Sequence, residues 1–268
     1  MPLDSTAENL IAAVQASPRA VAAHDKAAWV DLFTADATVN DPVGSRPHIG
    51  RAAIERFYDT FIGPNTIAFR GDHDFVGPST VVRDLLIRTT MSTGATVAVP
   101  MHLRYDLVED GGVWKITRLA AHWELAAMIV QLLRTGLPGL GAALKLGPQL
   151  IANQGFDGMF GMMQALRGIG RSGKRAVSQV FAAVAATDIS RARRLLSERT
   201  IIELPAGTRI SLEEFTNRAR NMQWDKLIAA GRTVSVSVRL DSAQGVAFVD
   251  FAPDSRRITA IRIFIHAI

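Results

Sequence analysis

One stretch of the sequence, Ala37–Tyr58, gathers residue types that could carry out chemistry. It reads as the end of a strand at Asp41, a turn made by Pro42 and Gly44, and a helix that begins near Arg51. A carboxylate on a turn at the mouth of a pocket can act as a general base, because it can accept a proton and return it on the same face of a substrate. An aspartate before a proline is also a common turn-former. On composition alone the turn interpretation is favoured.

Two histidines on predicted strands are further candidates. His102 lies in the segment Val99–Arg104 and could act with Asp41 as an acid–base pair. His122 alternates with Glu124 onto one face of a later strand, where it could line a pocket rim. A hydrogen-bonded structural or surface role fits the same pattern for both histidines. The sequence predicts no metal site and no cofactor.

These residues must be positioned by an N-terminal unit that reads as helices followed by strands. Apolar residues recur at helical spacing in Thr6–Phe33 and Arg51–Phe61. Three later segments are rich in β-branched residues and partly alternate. They are Thr80–Thr90, Thr96–Asp106 and Val113–Trp123. Helices followed by a run of antiparallel strands indicate an α+β fold.

The segment from 126 to 176 has a different composition. It is rich in glycine and methionine, contains Pro138 and Pro148, and its charges are mostly basic. We interpret it as a helical connector whose apolar side packs on one or both flanking domains. A peripheral contact with an anionic membrane is the competing interpretation, because basic amphipathic segments bind such surfaces.

The remaining residues repeat the pattern of the N-terminal unit. The order of a helix, a short apolar run, a Pro-Xaa-Gly turn, a second helix and closing strands recurs. Val21–Asp25 corresponds to Val184–Asp188, and Leu204 stands where the first copy has Asp41. We interpret this as an internal duplication. It predicts domains at 1–125 and 177–268, the second without an evident base.

Overall composition limits the function classes. The chain has 268 residues, 48% of them apolar and 21% charged, which is typical of a globular protein with an ample core. The absence of cysteine excludes disulfide scaffolds and thiolate chemistry. The N-terminus lacks the pattern of a secretory signal, so a cytoplasmic location is expected. Basic residues are scattered without interleaved aromatic residues, so no nucleic-acid role is predicted.

The Ala37–Tyr58 stretch resembles the signature of the steroid Δ-isomerase (ketosteroid isomerase) family in the nuclear-transport-factor-2-like (NTF2-like) superfamily. The chain follows that signature without a gap, and the resemblance extends more diffusely over the first 125 residues or so. It implies a cone-shaped α+β fold, a curved antiparallel sheet wrapped around helices, with a deep apolar pocket for steroid-like ketones. It also implies that Asp41 is the general base and that Tyr58 belongs to a hydrogen-bond network behind the oxyanion site.

Two family positions depart from the signature. The family holds the enolate oxygen with a tyrosine and a protonated aspartic acid. Counting back from Asp41 without a gap places Ser17 at the tyrosine position, and counting along the strand from Pro100 places His102 at the aspartic acid position. Three functions therefore stay open: an isomerase acting on a 3-oxo-Δ5-steroid-like ketone, a steroid- or lipid-binding protein without turnover, and a dehydratase or cyclase that uses Asp41 with His102. Family members dimerise through the sheet, so an intramolecular pseudo-dimer or a homodimer is expected. The residues expected to bind substrate are Ser17, Val43, Phe57, Phe61, Met101 and His122.

Overall fold

The structure is a computed structural model that describes residues 5–136, 161 and 163–265. It divides into two compact units. The first comprises Met1–Asp74 and Pro78–Leu166, and the second comprises Phe75–Gly77 and Arg167–Ile268. Each unit combines helices with one sheet, so the expected α+β architecture with two tandem sheets is confirmed.

The helices of the first unit come before, between and after its strands. Helix α2 begins where the Asp25 side chain accepts a hydrogen bond from the backbone N–H of Ala28, at 2.9 Å, which satisfies one of the open donors of the first turn. Helix α3 continues into a π-helical turn, Tyr58–Ile62. The helices are α1 (Ser5–Ala22), α2 (Lys26–Val30), α3 (Arg51–Phe57) and α4 (Leu125–Leu133).

The sheet of the first unit has six strands in the order β2-β1-β6-β5-β4-β3. β1 runs parallel to β6, while β1–β2, β4–β5 and β5–β6 are antiparallel pairs. Because successive side chains of a strand point to opposite faces, alternate residues of β5 face the interior. The strands are β1 (Phe33–Asn40), β2 (His48–Ile49), β3 (Thr66–Val76), β4 (Thr80–Thr90), β5 (Thr96–Asp110) and β6 (Val113–His122).

The second unit has a similar order of elements, without counterparts of β2 and α4 among the described residues. Its sheet follows the order β7-β11-β10-β9-β8, with β7 parallel to the last strand β11, as β1 is to β6 in the first unit. Its helices are α5 (Gly170–Ala185), α6 (Ile189–Leu195) and α7 (Leu212–Arg218). Its strands are β7 (Ile201–Glu203), β8 (Gln223–Ala230), β9 (Thr233–Leu240), β10 (Ala243–Phe251) and β11 (Ile258–Ile265).

Local details of the two units also correspond. The Asp188 side chain caps α6 by accepting from the N–H of Arg191, as Asp25 caps α2. Both turns hold a cis X–Pro bond, at Asp41-Pro42 and at Leu204-Pro205. The internal duplication itself stays a prediction.

The segment predicted as a connector is described only at its two ends. At its start, α4 lies in the first unit, where the Gln131 side-chain amide hydrogen-bonds both backbone groups of Ala98. At its end, α5 begins at Gly170, before the domain start predicted at residue 177. Residues 137–160 lie outside the described part. None of the described helices is long and apolar enough to span a bilayer, and the described residues add no support for the predicted membrane contact.

Candidate active site

The first unit encloses an apolar cavity of about 160 Å³. Its walls come from α1, α3 with the following π turn, and the inner faces of β3 to β6. The cavity's inner end is formed by fully buried side chains, whereas its other end is formed by partly exposed residues of β3 and β4. It is lined by Ser17, Val21, Trp29, Asp41, Phe57, Phe61, Ile62, Asn65, Ile67, Phe69, Ile87, Thr89, Met91, Val99, Met101, Leu103, Tyr105, Leu119, Trp123 and Met128.

Asp41 reaches this cavity from the turn after β1. The turn is held against β6 by a hydrogen bond from the Val43 N–H to the Ala121 carbonyl, at 2.8 Å. Ser45 closes it by donating its hydroxyl to the Pro42 carbonyl, at 2.7 Å. Trp123, just after β6, donates its indole N–H to Asp41 Oδ1 at 2.6 Å. The carboxylate is therefore fixed on one side and faces the cavity on the other.

The surroundings of Asp41 change its proton affinity. Burial raises the pKa of the carboxyl from 3.8 to about 6, and the hydrogen bond from Trp123 opposes that rise. Burial acts in this direction because it disfavours the charged form, whereas a donor to the carboxylate favours it. A pKa near 6 leaves the group mostly ionised at neutral pH and makes it a stronger base than an ordinary aspartate.

A second polar group lies at the buried end of the cavity. Ser17 Oγ accepts a hydrogen bond from Trp29 Nε1 at 3.0 Å, and its hydroxyl lies close enough to that of Tyr105 to lower the pKa of the phenol. All three side chains are almost completely buried, and all three line the cavity. Burial raises the pKa of Tyr105, so its hydroxyl stays protonated at neutral pH.

Sequence reasoning did not identify Tyr105 or Trp123. A signal for Tyr105 was present: Val99, Met101, Leu103 and Tyr105 alternate along β5, and all four line the cavity. Trp123 carried no comparable signal, because its contact with Asp41 depends on the pairing of β1 with β6.

The expected substrate-binding residues divide into two groups. Ser17, Phe57, Phe61 and Met101 line the cavity, as expected for substrate contacts. Val43 instead contributes its backbone to the turn and is not among the lining residues.

Tyr58 also lies outside the cavity lining. Its ring packs against Trp29, with the ring centroids 5.6 Å apart, and its hydroxyl is buried without a hydrogen-bond partner among the described residues. The expected network from Tyr58 to the oxyanion site is therefore not formed in this structure.

His102 and His122 lie on the face of the sheet opposite the cavity. They are paired across β5 and β6, and Asp84 is the residue paired with His102 on β4. His102 Nε2 is 3.6 Å from Asp84 Oδ1, and burial lowers the pKa of His122 well below its usual value. Counting along the strand assigned His102 the inward position, but the inward residues beside it are Met101 and Leu103. This geometry contradicts two expectations. His102 cannot form an acid–base pair with Asp41, and His122 does not lie at the pocket rim.

The second unit has an apolar residue at the corresponding position. Leu204 is buried in a hydrophobic core that includes Phe181 and Phe215. The preceding Glu203 accepts a hydrogen bond from the Gly207 N–H and lies 3.5 Å from Arg262. In the described ranges of the two units, no group of three or more histidine, aspartate or glutamate side chains is arranged to hold a metal ion.

The family comparison agrees with the fold and with the location of the cavity. The model of the SnoaL-like domain family matches residues 14–119, which contain the Asp41 turn and most of the cavity wall. Over this stretch the chain belongs to the SnoaL-like family of the NTF2-like superfamily.

Similar solved structures each match a little under half of the chain. A Δ5-3-ketosteroid isomerase from Mycobacterium sp. is 32% identical, covers 45% of this chain over 96% of its own, and has a TM-score of 0.41. A Mycobacterium tuberculosis protein in complex with estradiol-17β-hemisuccinate is 27% identical, with coverages of 44% and 95% and a TM-score of 0.40. An epoxide hydrolase/cyclase-like enzyme of pyran ring formation in salinomycin is 23% identical, with coverages of 44% and 93% and a TM-score of 0.41.

Proposed function

We propose that the first unit is an isomerase that moves a proton within a bulky apolar ketone of the 3-oxo-Δ5-steroid type, with Asp41 as the general base. One observation carries this proposal. Among the twenty described residues that line the cavity, Asp41 is the only acidic or basic one, and the others are mostly aliphatic or aromatic. An apolar cavity with one carboxylate fits an uncharged, apolar substrate from which a single proton is removed.

The reaction that fits this arrangement has two proton transfers. The Asp41 carboxylate takes a proton from the carbon between the ketone and the alkene, and the C–H electron pair becomes a C=C bond as the carbonyl pair moves onto oxygen. The carboxylic acid then returns the proton to the far end of the conjugated system, and the carbonyl re-forms. The raised pKa of Asp41 favours the first step, and the Trp123 hydrogen bond keeps the second oxygen directed at the substrate.

The test is conversion of a 3-oxo-Δ5-steroid to its conjugated enone, followed by ultraviolet absorbance. Asp41→Asn preserves shape and removes the base, so we expect kcat to fall by about 10²–10⁴-fold, the usual contribution of general acid–base catalysis. Asp36→Asn is the matched control, because Asp36 is an exposed residue of β1, the strand that leads to Asp41. Equal rates for the parent and Asp41→Asn would reject the proposal.

A steroid- or lipid-binding protein without turnover is the second candidate. The observation that favours it is the state of Ser17, which stands at the family's tyrosine position but already accepts a hydrogen bond from Trp29. Tight steroid binding without enone formation at any pH between about 5 and 9, a range in which Asp41 passes from mostly protonated to ionised, would favour binding over catalysis. The dehydratase or cyclase alternative loses its second group, because His102 lies on the other face of the sheet.

A further inference from the structure

We propose that Tyr105 is the oxyanion donor of this site, and that Ser17 and Trp29 orient it through a chain of hydrogen bonds. The inference rests on the proposed proton transfer and names a residue that the family signature does not predict at this position. It means that a tyrosine on β5 performs the task for which the family uses a tyrosine on the first helix, the position of Ser17 here.

The direction of the hydrogen bonds supports this role. An indole N–H can only donate, so Ser17 Oγ must be the acceptor in its 3.0 Å bond with Trp29. Ser17 then retains its own proton, which it can donate to the neighbouring hydroxyl oxygen of Tyr105. That arrangement leaves the phenolic proton of Tyr105 available to a group inside the cavity. Each donor in such a chain polarises the next one, which strengthens the last hydrogen bond.

The position of Tyr105 supports it as well. The side chain is 1% exposed and lines the same cavity as Asp41, and the two groups are close enough for the Asp41 charge to raise the pKa of Tyr105. Arg83 acts in the opposite direction and lowers that pKa; its guanidinium is held by Asp74 at 2.8 Å. A ketone oxygen at the buried end of the cavity would therefore meet a protonated phenol in a dry environment, where a hydrogen bond to developing negative charge is strongest.

In the proposed reaction, Tyr105 donates a hydrogen bond and no proton is permanently transferred. As Asp41 removes the carbon-bound proton, the carbonyl oxygen gains charge and the Tyr105 hydrogen bond shortens. When the proton returns to the far carbon, the charge leaves the oxygen and the bond relaxes. Tyr105 therefore stabilises the transition state more than the bound ketone, which lowers the barrier of the chemical step.

The activity test compares Tyr105→Phe with the parent. Loss of one oxyanion donor typically costs about 10²–10³-fold in rate, so we expect that loss in kcat with a KM changed less than about threefold. Thr117→Val is the control for hydroxyl removal in the same sheet, since Thr117 bonds the Asp106 carbonyl and is not among the cavity residues. If Tyr105→Phe keeps the parent kcat while Asp41→Asn is inactive, the assignment of Tyr105 is wrong and the proposed base stands.

A binding test separates this inference from the isomerase proposal. The probe is 2-naphthol, an aromatic mimic of the enolate, and 2-methylnaphthalene is the matched compound without a hydroxyl group. In the Asp41→Asn background we expect Tyr105→Phe to weaken 2-naphthol binding by about 2- to 10-fold, the range for a hydrogen bond between two neutral groups. Binding of 2-methylnaphthalene should not change. Equal weakening of both compounds would overturn the inference, whereas selective weakening in a parent without isomerase activity would support Tyr105 and reject only the reaction.

The roles of Ser17 and Tyr105 can also be read spectroscopically, because the chain has only two tyrosines. In a Tyr58→Phe background, a carbon-13 label on tyrosine reports Tyr105 alone. Ser17→Ala should raise the Tyr105 pKa further, because it removes a donor to the phenolate, and Ser17→Thr should restore it. An unchanged pKa in Ser17→Ala would contradict the hydrogen-bond chain.

If Tyr105→Phe fails to fold, 3-fluorotyrosine in the same background tests the donor, because a more acidic phenol should bind 2-naphthol more tightly.

Discussion

Replacing Asp41 by asparagine should make the first unit more stable at neutral pH and leave its stability unchanged in acid. The carboxyl has a pKa of about 6 in the folded chain and 3.8 without the protein environment. At 1.36 kcal/mol per pKa unit, this difference corresponds to about 3 kcal/mol. The folded state therefore holds more protons than the unfolded state between these two values, so ionisation of Asp41 lowers the free energy of unfolding as the pH rises from about 4 to about 6.

Asparagine carries no charge, so it removes this cost. We expect Asp41→Asn to raise the free energy of unfolding by about 2–3 kcal/mol at pH values above about 7. Below about pH 3.5 both side chains are neutral, and the difference should vanish. The assay is urea unfolding followed by tryptophan fluorescence at both pH values, because Trp29, Trp114 and Trp123 all lie in the first unit.

Asp36→Asn again serves as the control, since that exposed residue should show no such gain. A stability difference of the same size at neutral and acid pH would refute the reasoning, because it would arise from packing rather than from charge. A loss of stability at neutral pH would refute it as well.

Two further predictions concern titratable groups of the first unit. Trp123→Phe removes the donor to Asp41, so the acid limb of the pH profile of kcat/KM should move up by about 1–2 pH units; an unchanged midpoint would contradict the role of Trp123. Burial, Arg56 and Arg46 lower the pKa of His48 from 6.5 to about 4, so the unfolded state binds the extra proton and stability falls as the pH drops from about 6.5 to about 4. His48→Gln should therefore change the free energy of unfolding by about 2 kcal/mol more in the stabilising direction at pH 4.5 than at pH 8. Urea unfolding at both pH values measures this difference, and equal changes in the free energy of unfolding would contradict the prediction.

Asp41 and His48 change the free energy of unfolding in opposite directions over the same pH range. Ionisation of Asp41 destabilises the folded chain as the pH rises, whereas deprotonation of His48 stabilises it. The pH dependence of the parent alone therefore hides both contributions, and each becomes visible only as a difference between variant and parent. This is why both experiments compare variants at two pH values.

Several candidate residues reach the cavity wall through features of the local sequence, and their roles stay predictions. Asp41 stands in a turn whose shape is set by neighbouring residues, Pro42 and Gly44 among them, and this turn reaches the cavity. Phe57 and Phe61 follow from helical spacing one turn apart, and both line the cavity. The α+β order of elements follows from the change of apolar period along the chain.

The parts that depend on strand register could not be fixed by counting residues. A shift of one residue along a strand moves every side chain to the other face. Counting along the strand placed His102 inward, whereas the structure directs Met101 and Leu103 inward and places His102 beside Asp84. The same register brings Tyr105 to Ser17, although 88 positions separate them in the sequence. Such a pairing is decided by the packing of the whole sheet against α1.

The most direct test of the account follows the transferred hydrogen itself. A 3-oxo-Δ5-steroid is deuterated at the carbon between the ketone and the alkene, and the product is analysed by NMR. A single carboxylate that accepts and returns the same proton predicts that deuterium appears at the far end of the conjugated system, and that Asp41→Asn forms almost no labelled product. Complete loss of the label to water, or the same labelled product from Asp41→Asn, would contradict the central claim that Asp41 carries the proton.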